Sequence, residues 1–133
     1  MLFRSGDVRI ERLEEQIELL LQPKPKREKI ALPSSDGLIF VNFANIIRCE
    51  SDSSYTLFVL STGKKIMVTR TMKEYENLLP ESNFFRVHKS HIVNLDYISQ
   101  YINRDGAYVV LENGDNIPLA RNKREEFLGK IKQ

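Results

Sequence analysis

Two histidines, an arginine and a lysine crowd into the otherwise largely apolar stretch FFRVHKSHIVNLDYI, Phe84 to Ile98. That mixture suits three kinds of chemistry: metal ligation, nucleophilic catalysis, or capture of a polyanion. As a metal site it is short of ligands. His88 and His91 are separated by two residues and Cys49 is the only other soft donor in the chain, whereas a structural zinc site takes four ligands. As a catalytic site it offers Ser90 between the histidines and Asp96 nearby. A triad, however, needs nucleophile, base and orienter to converge beside an oxyanion site, and no Gly-x-Ser-x-Gly elbow occurs. The six glycines are scattered singly, so no glycine-rich loop is available to cradle a phosphate. Neither enzyme activity nor a metal or other cofactor is expected.

Polyanion capture makes better physical sense. Arg86, His88, Lys89 and His91 can project donors to phosphate oxygens or base edges, while Phe84, Phe85, Val87, Ile92, Val93 and Leu95 anchor the segment on a core. Ordinary solvated charges and satisfied histidines account for the same residues, because short basic clusters are common.

The elements that must hold this stretch can be read from the rest of the chain. Its 133 residues are the size of one domain plus an appendage, and 41% hydrophobic residues suffice for a core. The formal charge of +2 is only mildly basic. Residues 1–18 carry three arginines against five acids, net minus two, which leaves plus four for the remainder. The single cysteine cannot form an intrachain disulfide, and no signal peptide or membrane-spanning apolar run is seen, so a reducing, cytoplasmic setting is expected.

A helix with Asp7 as its N-cap is expected, because Ile10, Leu13, Ile17, Leu20 and Leu21 recur at helical spacing up to Gln22. Pro23 and Pro25, among four cations from Lys24 to Lys29, end that helix and read as a linker over Gln22–Glu28. A division into residues 1–28 and a domain of residues 29–133 follows. Beyond the linker the period falls to two, with turn signals about every eight to twelve residues, as in an all-β fold. Strands are expected at KIALP, LIFVN, IIRCE, YTLFVL, KKIMVT, FFRVH, YISQYI, AYVVLE and NIPLA. A helix is expected over RTMKEYENLL, ended by Pro80, and a basic helical tail over RNKREEFLGKIKQ.

The central stretch resembles the signature of the LytTR family, the DNA-binding output domains of many bacterial two-component response regulators. The frame Phe-x-Arg-x-His-x-Ser-x-Ile-Val-Asn is present as Phe84, Arg86, His88, Ser90, Ile92, Val93 and Asn94. IIRCES, TRTMKEYENLLP and NGDNIPLARNKREEF resemble further family segments in the same order, and the likeness covers about Glu28 to Gln133. Ala120 departs from the serine usual before the arginine, which would remove one phosphate contact. The resemblance implies a mainly β fold, an elongated assembly of small antiparallel sheets with one short inserted helix and a C-terminal helix, that inserts loops into successive major grooves of double-stranded DNA.

By position, it implies DNA-facing roles for the loop Asp52, Ser53, Ser54 and Tyr55, for His88, Lys89 and Ser90, and for Arg121 with Asn122. The Arg121 guanidinium can pair bidentately with guanine, and Lys89 can reach a base acceptor or a phosphate. Lys123 and Arg124 fit phosphate contacts or a solvated helix face equally. Tyr55 fits strand packing as well as DNA, Arg86 either a phosphate or an acceptor on the core side, and Asn94 a turn rather than a base. The implied partners are promoter DNA carrying direct repeats, an upstream receiver domain ending in the Asp7–Gln22 helix, a sensor kinase, and a second copy on DNA. The competing reading is a protein-interaction module whose basic loops bind an acidic partner.

Overall fold

The computed structural model describes residues 28–132; the helix and nearly all of the linker expected before Glu28 lie outside the described residues. Ten strands are present among those described: β1 (Lys29–Ser34), β2 (Gly37–Asn42), β3 (Ile46–Asp52), β4 (Tyr55–Leu60), β5 (Lys65–Val68), β6 (Phe84–His88), β7 (His91–Asn94), β8 (Ile98–Asn103), β9 (Ala107–Leu111) and β10 (Asn116–Leu119). Two helices join them, α1 (Met72–Glu76) and α2 (Arg124–Ile131). All pairings are antiparallel, in a β1–β2 hairpin, a central sheet of order β5-β4-β3-β7-β6, and a three-stranded sheet of order β10-β9-β8.

The central sheet is buried on both faces because adjacent residues of its strands β6 and β7 are apolar. On β6 Phe84 enters one core while Phe85 and Val87 enter another, and on β7 Ile92 and Val93 divide in the same way. Strand alternation sends neighbours to opposite faces, so such paired apolar residues need two partner layers. The first layer is the hairpin with α1, through Ile30, Leu32, Val41, Met72 and Tyr75. The second is the three-stranded sheet with α2, through Val109, Leu111, Ile117, Leu119 and Phe127. A bulge in β3 between Ile46 and Arg48 adds one residue to the period, which lets Ile46 and Cys49 face the same core.

Three local expectations needed correction. The four residues HIVN form β7, which lies between β3 and β6; its brevity and its initial histidine hid it in the sequence. The helix expected over ten residues is a five-residue α1, after which Leu78 and Leu79 both donate to the carbonyl of Tyr75 as the chain turns toward Pro80. The terminal helix begins with a 3-10 turn at Arg121–Lys123 before α2.

Candidate nucleic-acid interface

Two backbone hydrogen bonds bring together the three segments singled out in the sequence. The Ser51 N–H donates to the Ser90 carbonyl at 2.9 Å, which joins the Asp52–Tyr55 turn to the Lys89–Ser90 turn. The Ala120 N–H donates to the Val87 carbonyl at 2.8 Å, which joins the end of β10 to β6 just before His88. Asp52, Ser53, Ser54, Tyr55, Lys89, Arg121 and Asn122 are exposed on this side, and His88 and Ser90 are half-buried. A two-residue loop closes β3 and β4, since Asp52 and Tyr55 are register partners. Ser53 sits there with φ of 58°, a left-handed conformation that costs a non-glycine residue about 1–2 kcal/mol.

The β6–β7 turn is held from within. The Ser90 N–H donates to His88 Nδ1 at 3.1 Å, which selects for a neutral ring the tautomer that carries its proton on Nε2. His91 pairs across the turn with His88, their rings 5.5 Å apart. Burial pushes the His91 imidazole below its ordinary range, against the upward pull of Glu50 and helped by His88 and Arg48. Its Nδ1 is 3.7 Å from Glu50, too long for a hydrogen bond, and makes none elsewhere among the described residues. We therefore regard His91 as a neutral spacer rather than a member of an ion pair.

Arg86 does not face outward freely. Its Nη1 donates to Glu76 at 2.8 Å and its Nη2 to the Lys89 carbonyl at 2.6 Å, which favours the core-side acceptor over a phosphate. Asn94 is fully buried; its Nδ2 donates to the Ile46 carbonyl at 2.9 Å and its Oδ1 accepts from the Asp96 N–H at 3.0 Å, so it fixes a turn as expected. Between the Lys89 turn and the 3-10 turn runs a groove of about 450 Å³, lined by Glu76, Arg86, His88, Lys89, Asn122 and Lys123.

Cations cluster where a helix tolerates them least. Arg121, Lys123 and Arg124 precede or begin α2, against the positive end of its dipole, and Glu125 and Glu126 in the first turn offset them. The Lys123 ammonium lies 5.9 Å from the centre of the Phe85 ring and 4.0 Å from Glu126. Arg121 carries no such contact and is exposed, the more available of the two.

One supporting network was invisible in the sequence because its members come from distant strands. Arg48, only 9% exposed, donates from Nε to Asp115 at 2.8 Å and from Nη1 to Glu50 at 3.0 Å. The alternation of β3 placed Arg48 among apolar residues, a signal that it needs acceptors inside the fold. Cys49 points instead into the first core, fully buried, where desolvation raises its thiol far above the ordinary range. It therefore lies apart from the histidines with which a metal site would have had to combine it.

A family model of the LytTr DNA-binding domain matches residues 36–132. The chain belongs to this family. It is 28% identical over 105 residues to the sensory transduction protein LytT of Bacillus subtilis, a match covering 76% of this chain and 42% of that protein. It is 27% identical over 116 residues to the heme-containing CO-sensing transcriptional regulator RcoM 2 of Paraburkholderia xenovorans, covering 82% and 43% respectively. The chain thus spans less than half the length of these relatives. A solved LytTr DNA-binding domain from Bacillus cereus superposes with a TM-score of 0.69 at 23% identity, over 79% of this chain and 97% of that one, which is a likeness of fold. The mostly β architecture in small antiparallel sheets, closed by a C-terminal helix, is therefore that of the LytTr domain.

Proposed function

We propose that residues 29–133 are the output unit of a transcription regulator and read double-stranded DNA sequence-specifically through loops placed in successive major grooves. The observation that carries this reading is the pair of backbone hydrogen bonds, Ser51 to Ser90 and Ala120 to Val87, which fixes three exposed polar loops relative to one another. Loops held in fixed register can meet a periodic ligand; loops that float cannot. Arg121 is assigned to a guanine edge, and Lys89 to a base acceptor or phosphate. Ser53, Ser54, Tyr55, His88, Ser90 and Asn122 line the same face. Lys123 and Arg124 supply phosphate contacts, while Arg86 supports the turn from behind.

Residues 1–28 then connect this unit to a sensory one. Two relatives of whose length the match covers 42% and 43% carry sensory names of different kinds, and what they share with this chain is a stretch of 105 to 116 residues that overlaps the DNA-binding domain. A receiver domain controlled by a sensor kinase is our choice for the unit, with two copies of the chain on direct repeats. The test is selection of bound duplexes from a random pool, followed by binding at several salt concentrations. A preferred sequence whose affinity falls steeply with salt is expected. Binding without base preference would favour instead an acidic protein partner for the same loops.

A further inference from the structure

The turn that presents Lys89 is not positioned by its strands alone. The β6–β7 ladder slips between Arg86 and His88, so strand pairing loses its regular register just before the two-residue tip. What spans the slip is the Arg86 side chain, which holds the Lys89 carbonyl at 2.6 Å and is itself held by Glu76 at 2.8 Å. Glu76 is the last residue of α1, whose Met72 and Tyr75 are buried in the first core. The chain of contacts runs from that core through Glu76 and Arg86 to the peptide unit that carries Lys89.

We infer that Glu76 is a positioning residue for DNA recognition: it holds Arg86 on the Lys89 carbonyl, and in doing so keeps a cation off the phosphates. The inference rests on the DNA-facing assignment of Lys89. Two facts support the second half of the statement. Arg86 lines the same groove as Lys89, Asn122 and Lys123, so a guanidinium released from Glu76 has open space on the DNA side. Its side chain is 25% exposed although its Nε is buried without a hydrogen-bond partner, so the carboxylate and the carbonyl are its only hydrogen-bond partners among the described residues. A bidentate fork bridging an acid and a carbonyl cannot be reproduced by the point charge of lysine. The acid at Glu76 therefore exchanges sequence-blind affinity for discrimination.

The test compares Glu76→Gln, Arg86→Ala and the double variant, each checked for an unchanged fold by amide spectra, on the selected duplex and its single-base variants. Glu76→Gln is expected to bind non-cognate duplex more tightly and to steepen the log–log salt slope by about 0.9, the increment of one new phosphate contact. It is also expected to lower discrimination at one base position about fivefold, the low end of what one base contact contributes. Arg86→Ala should share the loss of discrimination without the steeper slope, and the double variant should match Arg86→Ala. If Glu76→Gln raises affinity for all duplexes equally with the base profile intact, the acid acts only through its charge and the inference fails. A steeper slope that persists in the double variant also overturns it. Lys89→Ala separates the two levels: an unchanged base profile there refutes base reading by the turn, whereas a changed profile beside an unaltered Glu76→Gln refutes the latch alone. Shifts of the Lys89 and Ser90 amides in DNA-free Glu76→Gln are the direct readout, and their absence counts against it.

Discussion

Arg48 on β3 and Asp115, which precedes β10, meet at 2.8 Å across the interface between the central sheet and the three-stranded sheet. The same guanidinium reaches Glu50 at 3.0 Å, and Glu50 is the register partner of His91 on β7. The β6–β7 turn is thus flanked by two arginines that face inward, Arg86 on one side and Arg48 on the other. Both serve as struts for residues that face outward.

Asp115→Asn tests the strut between the sheets. Burial raises the Asp115 carboxyl, but hydrogen bonds from Arg48 and Asn113 outweigh it and hold the group below its ordinary range. Its side chain is 36% exposed, so solvent screens part of the interaction. A cost of about 1–2 kcal/mol at neutral pH is expected, in the range of hydrogen bonds to charged groups. Because the folded-state pKa is depressed, this contribution is present above the ordinary carboxylate pKa and is lost as pH falls through the folded value. Urea midpoints of wild type and variant should converge as pH falls below the depressed folded-state value.

His91 gives a pH dependence of the same sign in a higher window, here because burial disfavours its charged form. With its pKa held below 6.5 in the fold, the unfolded chain binds more protons in that window, so stability rises with pH. Wild type should be most stable above pH 6.5 and weaken as pH falls through it, and His91→Gln should flatten that decline. The groups facing the ring are Glu50, Arg48 and His88, so His88→Gln is the necessary companion. Imidazole titration by NMR assigns the curve, and a His91 pKa above 6.5 would refute the desolvation argument.

Tyr75→Phe should be neutral or stabilising. The ring is 1% exposed and meets Phe58 edge-on at 5.0 Å, yet its hydroxyl finds no hydrogen-bond partner among the described residues. An orphaned buried donor costs about 1–3 kcal/mol, and phenylalanine removes it while keeping the ring contact. Tyr75→Ala should instead lose about 3–5 kcal/mol by opening the core. A loss above about 1 kcal/mol on Tyr75→Phe, measured by urea unfolding, would reveal a partner for the hydroxyl.

What could be read from the sequence was local. Period-two runs with turn signals between them located nine of the ten described strands, and the spacing of Phe84, Arg86, His88 and Ser90 located the outward turn. β7 was missed because four residues beginning with histidine carry too little alternation, although paired Ile92 and Val93 betray a strand buried on both faces. The struts were out of reach for another reason. Glu76 lies ten residues from Arg86, and Asp115 lies 67 from Arg48, so only the folded sheets bring them together. Polar residues on apolar strands announce that they need partners; they do not say which.

Arg121 and Lys123 separate reading from holding. Arg121 is exposed at the end of the bond from Ala120 to Val87, whereas Lys123 is drawn back toward Phe85 and Glu126. A guanidinium placed on a guanine edge discriminates, so Arg121→Ala should cost about 1–3 kcal/mol on the selected duplex and relax preference at one base position. Lys123→Ala should weaken all duplexes about equally and reduce the salt slope by about 0.9, as expected for one phosphate contact. Arg121→Ala should shift unfolding stability by less than about 0.5 kcal/mol, because it touches neither core nor cap. Binding must be compared at one salt concentration, since the electrostatic share of the affinity changes with it. Should Arg121→Ala keep full affinity and an unaltered base profile, recognition would pass to Lys89 or to the Asp52–Tyr55 loop, the other two exposed elements that the backbone hydrogen bonds hold in register.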